Sequence, residues 1–175
     1  MAIPKGTEIP KTAGAFLKKF DDGTTTIRVL TPFRIGFEGW KNDKPFRHEG
    51  QTCYITPDMV DDNKLTGKPN INFFWVALVW NYSLGCIQVM ELTQKTIMKA
   101  LQLLEDNPRW GDLLKYDVDI TKTIEGDRTT YQVQGVPPAE LDPSIKDALA
   151  KTELHKTMDE MFDMEAKAVV PTIDF

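Results

Sequence analysis

Hydrophobic and polar side chains alternate with a period of two along most of the chain, which predicts a mainly β protein. The predicted strands cover residues 24–33, 33–40, 46–55, 71–80, 86–92, 116–121 and 129–133. Turn residues such as Asp21-Asp22-Gly23 and Gly126-Asp127 separate the strands at short intervals. Many short strands joined in this way are typical of small barrels and sandwiches.

One helical segment interrupts the strands. Thr93 is a suitable N-cap, an apolar stripe at helical spacing extends to Leu104, and Asn107-Pro108 ends the pattern. A single helix among five principal strands favours an OB-like five-stranded barrel, with an additional hairpin, over a sandwich.

The C-terminal part has a different pattern. Asp142 and Pro143 are suited to be the N-cap and first residue of a helix over residues 143–164. At 100° per residue its apolar side chains do not form one stripe, so either the helix breaks near 151–152 or its two halves pack on different surfaces. We therefore expect three parts: a flexible N-terminal arm (1–14), an OB-like domain (15–137) and an acidic helical tail (138–175).

Charge is distributed unevenly. The chain has 175 residues, of which 21 are basic and 26 acidic, and its formal net charge is −5. Residues 1–134 hold 17 basic and 17 acidic residues, residues 135–175 hold 4 and 9, and residues 11–47 hold 8 and 4. A basic segment and an acidic tail predict a polyanion site and a segment that competes for it. Ordinary proteins also show local fluctuations of this size, so charge alone leaves both interpretations open.

The residues that catalysis requires are sparse. No Gly-x-Ser-x-Gly sequence surrounds either serine, the two histidines are far apart, and no Cys-x-x-Cys pair indicates zinc. Asp61-Asp62-Asn63 lacks the closing Glu of a calcium loop, and Gly67-Lys68 lacks the upstream glycine of a phosphate-binding loop. We therefore expect a protein that is not an enzyme and uses no metal or cofactor.

Three further observations concern the compartment. Two cysteines are too few for a disulfide framework. No apolar stretch of about 18 residues predicts a membrane span, and residues 1–10 lack the apolar segment of a secretory signal. These observations favour a cytoplasmic protein without a membrane partner.

Aromatic and basic residues are interleaved between residues 33 and 54. Bases stack on flat rings, at about 1–3 kcal/mol each, while cations follow the phosphates, so this mixture is typical of a single-stranded nucleic-acid site. Trp40 is the strongest candidate, because it lies at a turn beside Lys41, where a core position is difficult to arrange. For the other aromatic residues of this segment, core packing is the favoured alternative; they are Phe33, Phe37, Phe46 and Tyr54.

The segment Ile71–Trp80 is the most hydrophobic of the chain, and both of its alternating faces are apolar. Such a strand is either buried on both sides or carries functional aromatic side chains at the surface. Phe73 and Trp75 share one face, but the pattern does not decide whether that face or the opposite one is exposed.

A resemblance to a known family emerges from motifs that occur in order along residues 15–140. They are Lys18-Lys19, Thr26–Leu30 (Thr-Ile-Arg-Val-Leu), Gly39-Trp40, Lys44–Arg47 (Lys-Pro-Phe-Arg), Phe74–Asn81, Trp110-Gly111-Asp112, Tyr116–Ile120 and Thr130–Val133. This succession resembles the single-stranded DNA-binding proteins of tailed bacteriophages, which have an OB fold. The short acidic end, Asp174-Phe175, is similar to the partner-binding tail of such proteins.

The resemblance implies sequence-independent binding that protects transient single strands in DNA replication, recombination and repair, in the host cytoplasm if the chain is phage-encoded. Asp174 and Phe175 would then contact replication proteins. The alternative is a structural or protein-interaction module of a phage particle or assembly, and the oligomeric state, including a homo-oligomer, is left open. The candidate DNA-binding residues are Lys18, Lys19, Arg28, Arg34, Trp40, Lys41, Lys44, Arg47, Phe73 and Trp75.

Overall fold

The computed structural model describes Ala2 and residues 14–169, with side chains as far as Phe162. Eight strands and three α-helices form the described chain, and short 3-10 turns lie at Pro57–Met59 and Leu113–Lys115. The strands are β1 (Phe16–Leu17), β2 (Gly23–Val29), β3 (Arg34–Lys41), β4 (Lys44–Glu49), β5 (Ile71–Asn81), β6 (Cys86–Leu92), β7 (Asp117–Glu125) and β8 (Arg128–Gly135). The helices are α1 (Lys95–Asp106), α2 (Pro143–Lys151) and α3 (Leu154–Val169).

All eight strands belong to one mixed sheet. Its main path has the order β1-β6-β5-β2-β7-β8, and β3 pairs with β5 and then with β4. Only the short β1 is parallel to its neighbour, β6. The prediction of a mainly β protein with an internal helix and a helical C-terminal part is confirmed. The path does not close, because β1 and β8 remain at its two ends, so a barrel is not confirmed.

Strand β5 lies at the centre of this sheet and presents two different faces. Its register pairs Ile35 with Trp75 and Phe37 with Phe73. Because side chains alternate along a strand, the odd-numbered residues of β5 share one face with the odd-numbered residues of β3. We call this the odd face; the even face carries Phe74, Val76 and Leu78.

The even face of β5 is covered by α3. Phe74, Val76 and Leu78 are completely buried, in a core that includes Met161 and Phe162 of α3. The rings of Phe74 and Phe162 stack with their centroids 5.6 Å apart. Residues 154–162 of the predicted tail are therefore part of a core shared with the sheet.

Gly36 of β3 allows α3 to approach the sheet. A Cβ at this position would collide with the carbonyl oxygen of His48 and would lie 3.2 Å from Cε1 of Phe162. A larger residue here would push β4 or α3 away from β3.

Toward the C-terminal end of β5, the side chains of the odd face belong to the larger of the hydrophobic cores. Ala77 and Val79 are completely buried together with Ile97 and Leu101 of α1. Helix α1 thus covers Ala77 and Val79, while Phe73 and Trp75 pack at the edge of this core and remain partly exposed.

The element boundaries correct two predictions and decide between two alternatives. Gln94, and not Thr93, is the N-cap of α1, and the strand predicted over 46–55 ends at Glu49 because Gly50 adopts a positive φ of 127°. The helix predicted over 143–164 is divided into α2 and α3 at Thr152, which agrees with one of the two alternatives. The predicted N-cap is confirmed, since the Asp142 carboxylate accepts a hydrogen bond from Ser144 N.

Within the described residues, no helix combines the length and the apolar composition that crossing a membrane requires. Apart from Ala2 and Gly14, the N-terminal arm predicted for residues 1–14 lies outside the described residues.

Candidate nucleic-acid interface

Four partly exposed aromatic side chains form two ring pairs at the open end of the odd face. The ring centroids of Phe33 and Trp75 are 5.4 Å apart, and those of Phe37 and Phe73 are 5.2 Å apart. Phe73 and Trp75 are two residues apart on β5, which corresponds to about 7 Å along a strand. We call these four residues the aromatic strip.

Elements on both sides support the strip without covering it. On one side, Phe37 packs against Ile55 and Val60 of the loop that follows β4. On the other, Phe33 and Trp75 pack against the core that contains α1. The rings are therefore held in position from below and beside, while part of each ring remains accessible to solvent.

The indole of Trp75 has a polar atom that the described residues leave without a partner. Its Nε1 is buried and has no hydrogen-bond acceptor among them. A buried donor without an acceptor is unfavourable by about 1–3 kcal/mol.

Two lysines stand at the tip of the β3–β4 hairpin, beside the strip. Lys41 and Lys44 are cross-strand partners on either side of Asn42 and Asp43, both of which have positive φ. Positive φ at both central residues is typical of a two-residue hairpin. Like charges at paired positions destabilise a hairpin, so this arrangement concentrates positive charge at a cost in stability.

Alternation places Lys41 on the odd face with Phe37, and its pairing places Lys44 on that face too. Both lysines are exposed, and neither forms an ion pair within the described part of the chain. Lys41 contributes only a weak attraction to Asp58, whose pKa is lowered mainly by a hydrogen bond from Thr56.

Two more lysines lie on α1. Lys95 and Lys99 are exposed, and within residues 14–162 they form no ion pair. Helical periodicity puts them on the same stripe as Gln102, which lines a cavity beside Trp75. Helix α1 begins three residues after Leu92, the cross-strand partner of Trp75. These lysines therefore lie on the stripe of α1 that leads to the cavity beside Trp75.

Arg28 and Arg47, which the sequence suggested as phosphate ligands, are buried. Arg28 Nε lies 2.7 Å from Asp117 Oδ1, and its Nη2 donates to the carbonyl oxygen of Ala139. Arg47 Nη2 lies 2.8 Å from Glu38 Oε1 and 3.5 Å from Glu91 Oε1. Arg28 is paired with the half-buried Asp117, and Arg47 with two buried carboxylates, so we do not include either guanidinium group in the interface.

Arg34 also points to the even face, where it links β3 to α3. It donates two hydrogen bonds to the Glu49 carboxylate, at 2.8 and 3.0 Å, and one to Asp159 at 2.6 Å. Its guanidinium also lies 4.5 Å from the centroid of the Phe162 ring. The hydrogen bonds to Glu49, more than those to Asp159, raise the pKa of Arg34. A phosphate would have to displace two carboxylates to reach it.

The structure separates the remaining candidates. Trp40 is partly exposed, but alternation along β3 places it on the face opposite the strip, where its side chain hydrogen-bonds to Glu38. Lys18 Nζ forms an ion pair with the buried Glu91 at 3.2 Å. Lys19 is exposed in the linker after β1, beside Asp21 and Asp22 in sequence.

Of the ten predicted DNA-binding residues, the structure therefore brings together four: Phe73, Trp75, Lys41 and Lys44. Asp174 and Phe175 lie outside the described residues. Within the residues that are described, no cluster of three or more His, Cys, Asp or Glu side chains could hold a metal ion.

Sequence reasoning assigned Phe33 and Phe37 to the core and did not select Lys95 or Lys99. The register between β3 and β5 is the information that was missing. Had Ile35 been paired with Trp75 in advance, the period of two would have put Phe37 and Phe73 on one face.

Comparison with models of known protein families finds no match to this chain. A search of curated proteins finds none with significant similarity to it.

Proposed function

We propose that the chain binds single-stranded DNA across the aromatic strip, without catalysis and with little dependence on sequence. Bases stack on Phe33, Phe37, Phe73 and Trp75, and every base has a π-face that such rings accept. Lys41 and Lys44 neutralise phosphates at one end of the strip, and Lys95 and Lys99 do so at the other. The role that follows is the protection of transient single strands in phage replication, recombination and repair, by a domain of the OB-like barrel type.

The single observation that carries this proposal is the contrast around β5. Two ring pairs remain partly exposed on its odd face, whereas the equally apolar even face is covered by α3. A group of large apolar rings that stays partly exposed is typical of an interaction surface. The nearby lysines without carboxylate partners in the described part of the chain favour an anionic, ring-bearing partner over another protein surface.

The test is a titration of the full chain with dT oligomers of increasing length. We expect quenching of tryptophan fluorescence and an affinity that falls with salt, with a log–log slope of about −0.7 for each phosphate neutralised. Four lysine contacts would give a slope of about −2.8.

Unchanged fluorescence together with the absence of salt-dependent binding would contradict the proposal. Sedimentation with and without the oligomer separates it from the alternative of an assembly module. Such a module would associate whether or not DNA is added.

A further inference from the structure

A cavity of about 500 Å³ opens beside the Trp75 end of the aromatic strip. Its walls come from the segment between β2 and β3, from β5, from the C-terminal half of α1 and from the 3-10 turn Leu113–Lys115. This volume is typical of pockets that bind small organic groups. It is large enough for one nucleobase with its sugar.

The walls and the rim of the cavity differ in chemistry. Phe33, Trp75 and Leu113 provide flat and aliphatic surface, while Glu105, Asp106 and Asp112 bring carboxylates to the rim. An ionised carboxylate accepts hydrogen bonds and donates none. The cavity therefore suits a flat group that carries N–H donors at its edge.

Part of this hydrogen-bonding capacity is already used. Glu105 Oε2 accepts a hydrogen bond from Leu113 N at 2.7 Å, and Asp112 Oδ1 accepts one from Leu114 N at 2.9 Å. Within the described part of the chain, each of these carboxylates keeps its second oxygen for another donor, and Asp106 has both.

We propose that this cavity receives one base of the bound strand and selects bases with an exocyclic amino group over thymine. The amino groups of adenine, cytosine and guanine donate to the carboxylates of Glu105 and Asp106, and the base ring stacks on the Trp75 indole. Thymine has one donor at this edge, N3–H, and no amino group, and the two carbonyl oxygens beside N3–H would face the carboxylate oxygens, so it should bind less tightly. This inference rests on the proposed DNA binding and adds one selective position to a strip that otherwise accepts any base.

The rim charge is compatible with DNA because only the base enters. Phosphates are repelled by Glu105, Asp106 and Asp112 and stay on the stripe of α1 that carries Lys95 and Lys99. The strand thus follows the lysines while one base turns toward Trp75.

The experiment compares a labelled dT oligomer of the minimal binding length with a set of the same oligomers that carry one dC at successive positions. Anisotropy titrations of the full chain should show roughly tenfold tighter binding for at least one dC position, the effect of one hydrogen bond to a charged group. In the double variant Glu105→Gln/Asp106→Asn this preference should fall to less than twofold. In Glu105→Gln, the side-chain amide oxygen can still accept the hydrogen bond from Leu113 N, so the 3-10 turn Leu113–Lys115 keeps this hydrogen bond.

Asp127→Asn, in the β7–β8 turn, is the matched control and should retain the full preference, and thermal unfolding checks that each variant is folded. Binding to dT with equal affinity for every dC oligomer would overturn this inference and leave the proposed function intact. If the parent chain binds none of the oligomers, the proposed function itself is wrong. A third outcome is that the parent chain shows no base preference but binds a Lys-Phe-Lys peptide saturably, and that the double variant loses this peptide binding. The cavity would then be a site for a basic protein segment, and the inference would be wrong.

Discussion

The two faces of β5 have nearly the same hydrophobicity and opposite surroundings. On the even face, Phe74 and Val76 are completely buried beneath α3, and the nearby Arg34 is held by two carboxylates. On the odd face, Phe73 and Trp75 keep part of their rings in solvent, and the nearest lysines form no ion pairs in the described part of the chain. The difference shows that a hydrophobic pattern fixes which residues avoid water, while the path of a distant helix decides which surface remains available for binding.

The largest effect is expected on the covered face. Phe162→Ala removes a side chain that is 2 % exposed and stacked on Phe74. Deletion of a buried ring of this size lowers the free energy of unfolding by about 3–5 kcal/mol. Urea unfolding followed by circular dichroism measures it.

A loss below about 1 kcal/mol for Phe162→Ala would mean that α3 contributes little to the folded unit. The two faces would then differ less than we describe. Lys156→Gln, on the exposed side of the same helix, is the control and should be close to neutral.

Removal of one ring from the strip tests the other side of the comparison. Phe73→Leu keeps an apolar side chain but no flat surface, so binding to dT should weaken by about 1–3 kcal/mol, which is roughly 5- to 150-fold in the dissociation constant. Fluorescence or anisotropy titration at constant salt measures the change.

Trp40→Leu is the control for Phe73→Leu, because Trp40 lies on the face of the sheet opposite the aromatic strip. We expect its affinity for dT to stay within about twofold of the parent chain. A larger loss for Trp40→Leu than for Phe73→Leu would place the DNA on the wrong face for our account.

The charge on the β3–β4 hairpin gives a smaller and more specific effect. Lys41→Gln/Lys44→Gln should reduce the magnitude of the log–log salt slope by about 1.4, since each phosphate contact on a single strand contributes about 0.7. Lys146→Gln, on α2, should leave the slope unchanged. An unaltered slope in the hairpin variant would remove these lysines from the interface.

The smallest effect concerns pH and the buried charges of the even face. Burial, and then repulsion from Glu91, raise the pKa of Glu38 above its usual value of 4.5, although Arg47 acts in the opposite direction. Above pH 4.5 the folded state therefore holds this proton more tightly than the unfolded state does. Stability contributed by Glu38 declines as the pH rises through its folded pKa.

Glu38→Gln removes that contribution. We expect the difference in the free energy of unfolding, parent chain minus variant, to decrease as the pH rises from about 4.5 to the pKa of Glu38 in the folded state. At higher pH the difference should remain constant. Urea titrations over this range measure the difference. A difference that increases with pH would mean that Arg47 dominates and that the carboxylate is stabilised.

Much of the fold could be predicted from local pattern. Strands β5 and β6 agree with the alternation to within one residue, and the apolar stripe of α1 ends at Asn107 as expected. Thr93 was wrong as the N-cap, since the backbone bends into the helix one residue later and capping preference is weak beside the packing of Ile97 and Leu101. Closure of the sheet depends on contacts between distant strands, which local alternation does not encode.

The candidate site was harder to predict for a physical reason. A lysine or arginine in a sequence shows its charge but not its partner, so Arg28 and Arg47 looked available although Asp117, Glu38 and Glu91 hold them in the interior. Trp40 appeared accessible because it lies near a turn, and the turn indeed begins at Asn42, after the last residue of β3. Which face it occupies follows from the register with β4 and β5, which the sequence alone leaves open.

Photocrosslinking tests the central claim most directly. An oligomer of dT that carries 5-iodo-deoxyuridine, irradiated in complex with the full chain and analysed by mass spectrometry, reports which rings lie against bases. Our account predicts adducts on Phe33, Phe37, Phe73 or Trp75. Adducts confined to Trp40 or to residues 143–162 would contradict it.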